Sequence, residues 1–155
     1  MNVYPIDVVK LVRSYILSKY VATIYSTAAV FTGPQEENEQ APMKYFVTLL
    51  YDSTPDYYEV GDANSQTLVS ITAKIGERIV STATTGQKEA TDTFRQFTAR
   101  KLRSREFQNY MAQNGVTPAP ITVVEVVDVP MDRAHPGMHL YYITVELLTY
   151  IDNTN

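Results

Sequence analysis

The chain has 155 residues and a mass of 17.5 kDa, a one-domain length. Apolar residues make up 45% and charged residues 19%, so the whole chain is expected to fold, burying roughly 70% of its unfolded surface. Cysteine is absent, which excludes disulfide scaffolds, thiol nucleophiles, Cys-ligated zinc and iron–sulfur clusters. A net charge of −4 and a pI of about 5.1 exclude DNA binding driven by overall charge. Asp7 and Lys10 interrupt the first apolar stretch, and the longest uncharged apolar run falls far short of ~20 residues, so no membrane partner is expected. These features describe a soluble protein used where it is made.

Pro5-Ile6-Asp7 opens a helix, because proline suits its first turn and Asp7 its positive end. Val9, Val12, Ile16 and Tyr20 recur at helical spacing and predict one buried stripe. Residues 21–31, β-branched and aromatic with many small residues, read as one strand with a loose end. A long exposed loop is expected near 32–44, where two prolines, a glycine and three glutamates forbid regular structure. Tyr45 to Asp52 is a strand, and 52–65 a second turn-rich loop holding Pro55, Tyr57, Tyr58 and Gly61. Gln66 to Ile75 alternates, with Val69, Ile71, Ala73 and Ile75 on one face. Gly76-Glu77 reads as a tight hairpin turn and Arg78 to Thr84 as its return strand.

A second helix is expected from a Thr85 cap through Leu102, with Ala90, Phe94, Phe97 and Leu102 buried. A short helix over 105–113 follows, with Phe107, Tyr110 and Met111 inward and Asn114-Gly115 closing it in a left-handed conformation. Pro118 and Pro120 end the helical section. Strands at 121–129 and 139–151 flank a third loop near 130–138, and residues from Asp152 onward read as a frayed tail. Strands arriving mostly in adjacent pairs, with only the helical region long enough for a crossover, predict one α+β domain over 1–155. Its largely antiparallel sheet is packed against two or three helices.

Chemistry-bearing patterns are sparse. Asp132, His135 and His139 have ligand types suited to zinc, but Pro136-Gly137 forbids the helix that would converge them. There is no Gly-x-Ser-x-Gly turn, no phosphate loop and no dinucleotide turn, and the six glycines are not clustered. No catalytic residue, metal site or cofactor is therefore assigned, and the chain does not read as an enzyme. The basic run Arg95, Arg100, Lys101, Arg103 and Arg105 fits an acidic protein partner better than nucleic acid, because Phe97 and Phe107 belong to buried stripes. Tyrosine is overused, with 12 against five phenylalanines and no tryptophan, and such residues suit protein contacts. The interface candidates are Glu36, Glu37, Glu39, Tyr57, Tyr58, Arg100, Lys101, Arg103 and Arg105.

A helix leads to a small-residue strand and a loop with Ala41-Pro42, then to Tyr45-Phe46-Val47-Thr48-Leu49 and a β-pair. Next come a helix opening Gly86-Gln87-Lys88-Glu89-Ala90, a Gly115-Val116 exit, Asp132-Arg133, and a last strand ending Val145-Glu146-Leu147-Leu148-Thr149-Tyr150. Together these resemble the tail terminator and neck, or head–tail joining, proteins of tailed bacteriophages, and the likeness covers most of the chain. The resemblance implies a structural virion protein, present in the host cytoplasm during assembly. It implies a homo-oligomeric ring, usually of six, bound to the tail-tube protein and to the head connector or adaptor, with DNA passing through unbound. Net negative charge suits such a channel wall. The alternatives are another head-completion or minor tail protein, and a nucleic-acid-binding domain using the basic run.

Overall fold

The computed structural model describes residues 2–33, 44–59, 64–78, 93–129 and 138–152. Helix α1 (Pro5–Tyr20) starts with proline at its first turn, and the Asp7 carboxylate accepts from the Tyr4 N–H at 3.0 Å. It buries Val8, Val9, Val12, Tyr15, Ile16 and Tyr20, the expected stripe widened by Val8 and Tyr15. The next residues turn rather than extend, and strand β1 spans only Ala29–Thr32. Strands β2 (Tyr45–Glu59) and β3 (Asn64–Arg78) follow, then α2 (Phe94–Leu102), α3 (Arg105–Gln113), β4 (Thr117–Val129) and β5 (Met138–Asp152).

The five strands form one sheet in the order β1-β2-β3-β5-β4, with β1 parallel to β2 and every other pair antiparallel. The fold is α+β, as expected. Since β3 and β4 both run antiparallel to β5, the helical segment is the crossover between two strands of like direction. The three helices cover one face of the sheet, where Val47, Leu49, Val69, Ile71, Ala73, Ile75, Ile143, Val145 and Leu147 join their buried stripes in one core. Helix α3 spans the predicted residues and buries Phe107 and Met111, with Tyr110 half-buried. Gly115 closes it at φ +80°, a conformation that strains a side chain.

Several expectations fail. The loop placed near 52–65 is strand on both sides, since β2 runs to Glu59 and Asn64 already belongs to β3. Pro55 fits because β1 ends opposite Leu49, leaving the rest of β2 at the sheet edge, and because the pairing breaks register between Thr54 and Tyr58. Pro118 lies in edge strand β4, beside a register break between Pro118 and Val123. Gly76-Glu77 is no hairpin turn. Gly76 pairs with Phe46 on one side and Leu140 on the other, deep in the sheet. A side chain there would put its Cβ 2.1 Å from the Phe46 ring, so glycine serves close packing, not turning. Nor is there one helix from 85 to 102. Thr93 is extended at ψ 162° and caps α2, its Oγ1 accepting from the Gln96 N–H while Gln96 Oε1 accepts from the Thr93 N–H. Asp152 is not frayed. It ends β5, and Asn2 bonds both its N–H and its carbonyl. The loop around Glu36, Glu37 and Glu39, the segment 79–92, and Asp132 and His135 lie outside the described residues.

Candidate subunit interface

An aromatic base joins α1, the turn after it, β2 and α2. Tyr20 lies 5.3 Å from Phe94 and 6.0 Å from Phe97 between ring centroids, and Tyr25 lies 5.2 and 5.4 Å from the same two rings. Tyr45 closes the cluster at 4.9 Å from Phe94. The Tyr20 hydroxyl bonds Thr98 Oγ1 in the interior, and burial pushes its phenol well above the ordinary value. These tyrosines therefore belong to the core, which accounts for part of their overuse without any partner.

The basic run grows out of this base. The Arg100 guanidinium lies 5.6 Å and the Lys101 ammonium 5.3 Å from the Phe97 ring centroid, so one aromatic ring carries two cations. Arg103 and Arg105 are exposed at the α2–α3 corner, and the structure brings four of the predicted cations together there. Arg95 is separate. Its Nε donates to Glu77 Oε2 at 3.1 Å, with only 14% and 20% of the two side chains exposed. Glu77 Oε1 also accepts from the Phe94 N–H at 3.5 Å, so Glu77 ties the end of β3 to the start of α2. Reading Glu77 as a turn residue hid this role.

The corner itself is fixed by Ser104. Its hydroxyl donates to the Lys101 carbonyl at 2.7 Å and accepts from the Phe107 N–H at 3.1 Å, capping α3. The Tyr15 hydroxyl lies 3.1 Å from the Ser104 hydroxyl and donates to the Lys101 carbonyl at 3.4 Å, pinning α1 under the corner. Burial raises the Tyr15 phenol. Beside it runs an open groove of about 560 Å³, lined by Tyr15, Lys19, Arg105, Glu106 and Tyr110. Lys19 donates to Glu106 across its mouth, which raises the Lys19 ammonium and lowers the Glu106 carboxyl.

Two further features were not singled out from the sequence. Val21 and Ile24, 74% and 80% exposed, are the most exposed large apolar side chains among the described residues. They sit in the turn between Tyr20 and Tyr25, whose rings lie 6.0 and 5.4 Å from the Phe97 ring that carries the two cations. On the sheet face turned away from the helices, Asp52, Ser70 and Glu146 are successive register partners. Alternation places Leu50, Leu68 and Leu148, all half-buried, in the neighbouring rows of that face.

Charge is segregated in the same sense. Helices and caps hold Lys10, Arg13, Lys19 and Arg95, then Arg100, Lys101, Arg103 and Arg105, against Asp7 and Glu106 only. Among the described residues that is eight cations and two acids, +6, on the helices and caps, against three cations and eight acids, −5, on the rest.

Tyr57 and Tyr58 lie in β2 rather than in a loop, with Tyr58 paired to Gln66. Among the described residues no group of three or more His, Cys, Asp or Glu converges to hold a metal, and no helix is long and apolar enough to cross a membrane. No protein-family model and no curated protein sequence matches the chain.

Proposed function

We propose that the protein is a ring-forming structural subunit of the tailed-phage neck, of the tail-terminator type. It caps the tail tube, joins it to the head connector and leaves a channel for DNA, acting in the virion after assembly in the host cytoplasm. The observation that carries this reading is the two-sidedness of the domain. A closed ring of identical copies needs two different patches on each copy that meet head to tail. Here the helical side is basic with an apolar tip, and the opposite sheet face bears an acidic row. Of the element order on which the resemblance rests, the first helix, the strand holding Tyr45–Leu49, the Gly115 exit and the long last strand support it as well, whereas the β-pair is the single strand β3.

Incubating the purified protein with tail tubes and imaging the pellet tests the reading. Rings of constant diameter at one tube end, with tube growth arrested, are the expected result. Protein that stays in the supernatant and leaves tube growth unchanged overturns it.

A further inference from the structure

We infer that copies of this chain associate front to back: the Val21/Ile24 tip with Arg100 and Lys101 of one copy seats on the Asp52–Ser70–Glu146 row of the next. The inference rests on the ring reading above, because it names the two patches that such a ring uses, and it can fail separately.

Three observations converge on it. First, the patches are complementary in kind. Val21 and Ile24 are 74% and 80% exposed, so an apolar contact removes both side chains from water. The sheet row offers apolar neighbours in Leu50, Leu68 and Leu148. Second, they are complementary in charge. Arg100 and Lys101 are held over the Phe97 ring. Asp52 and Glu146 flank Ser70 two strands apart, roughly 10 Å at the usual strand spacing. Lys74, a cation of the same sheet face, is four residues along β3 from Ser70, roughly 14 Å away, and leaves the row acidic. Third, the patches lie on opposite sides of a two-layer domain. A helical patch facing its own copy repels, as does an acidic row facing its own copy, whereas front-to-back contact satisfies both and repeats.

Sedimentation of the full-length protein over a concentration series, at low and high salt, tests this with two charge reversals. R100E/K101E makes the helical patch acidic, and D52K/E146K makes the sheet row basic. Wild type is expected to self-associate less as salt rises, and each variant to associate roughly tenfold or more weakly. An equimolar mixture of the two variants is expected to recover association, since each then presents the complement of the other; recovery also shows that both are folded. Wild type that stays monomeric, a reversal that leaves association unchanged, or a mixture that stays dissociated each overturns the inference. So does loss of DNA binding in R100E/K101E with association intact, which makes the corner a phosphate contact. Rings on tail tubes that survive both reversals leave the neck reading standing and sink this one. Complementary assemblies that never bind tubes do the reverse.

Discussion

On β3, Val69, Ile71, Ala73 and Ile75 are sealed under three helices, while Leu68, Ser70, Thr72 and Lys74 of the same strand stay half-buried on the other side. The helical side is closed by many interlocking rings and aliphatic chains. Among the described residues the far side holds a smaller cluster, Phe46 and Leu140 with Phe31 and Tyr142 against them, followed by the hydroxyl pair Thr72–Thr144 at 2.9 Å and the acidic row. One strand thus serves two purposes. The face that fixes the fold is continuous and apolar, and the face that stays available is interrupted by polar rows. Stability and interaction should therefore separate by residue parity along the central strands.

Truncating the core side tests this most severely. Phe94 is fully buried against Tyr20, Tyr25 and Tyr45, and Phe94→Ala is expected to cost about 3–5 kcal/mol. Chemical denaturation reads it directly, and an unchanged midpoint would place α2 in another register. On the far side the vulnerable point is the glycine under Phe46. Gly76→Ala brings a Cβ within 2.1–2.8 Å of three ring carbons, an overpacking expected to cost about 1–3 kcal/mol. The same substitution in a Phe46→Leu background is expected to cost less, and strict additivity of the two would mean the ring is not what glycine accommodates.

Smaller effects sharpen the contrast. Tyr20→Phe strands the buried Thr98 hydroxyl, for about 1–2 kcal/mol. It should also change the alkaline limb of stability. The phenol is raised from 10.0, so the folded state keeps a proton that the unfolded chain releases. That stabilisation is full below about pH 10 and is lost as pH rises beyond it. Wild type is expected to lose stability more steeply than Tyr20→Phe above pH 10; parallel curves would assign the alkaline loss to other groups. Thr93→Ala removes the cap of α2 and is expected to cost about 1 kcal/mol, seen as a lower melting temperature. Last, Lys19→Ala breaks a surface pair whose Glu106 side chain is 59% exposed, and the melting temperature is expected to stay the same at any salt concentration.

Local signals with one dominant cause were readable. The stripe of α1, the bounds of α3, the left-handed Gly115 and the alternation of β3 each follow from spacing or from a single backbone need. The Thr93-Phe94-Arg95-Gln96 capping box is an equally local signal, and it caps α2 eight residues beyond Thr85. The exposed tip at Val21 and Ile24 carried no such signal, since those residue types suit a strand until Tyr20 and Tyr25 are seen claiming the same core.

The sequence by itself determined the α+β class, the buried stripes, the basic corner after Phe97 and the absence of thiol chemistry, because each depends on residue type and near-neighbour spacing. Only the tertiary structure decided where the glycines and prolines act. Gly76 is set by a ring from another strand, and Pro55 is tolerated because β1 stops short and leaves β2 an edge. Tertiary structure likewise joined Asp52 to Glu146, 94 residues away in the chain, into one row on the face that the helices leave open. Strand order and register are long-range pairings, and no local pattern of residues encodes which edges will meet.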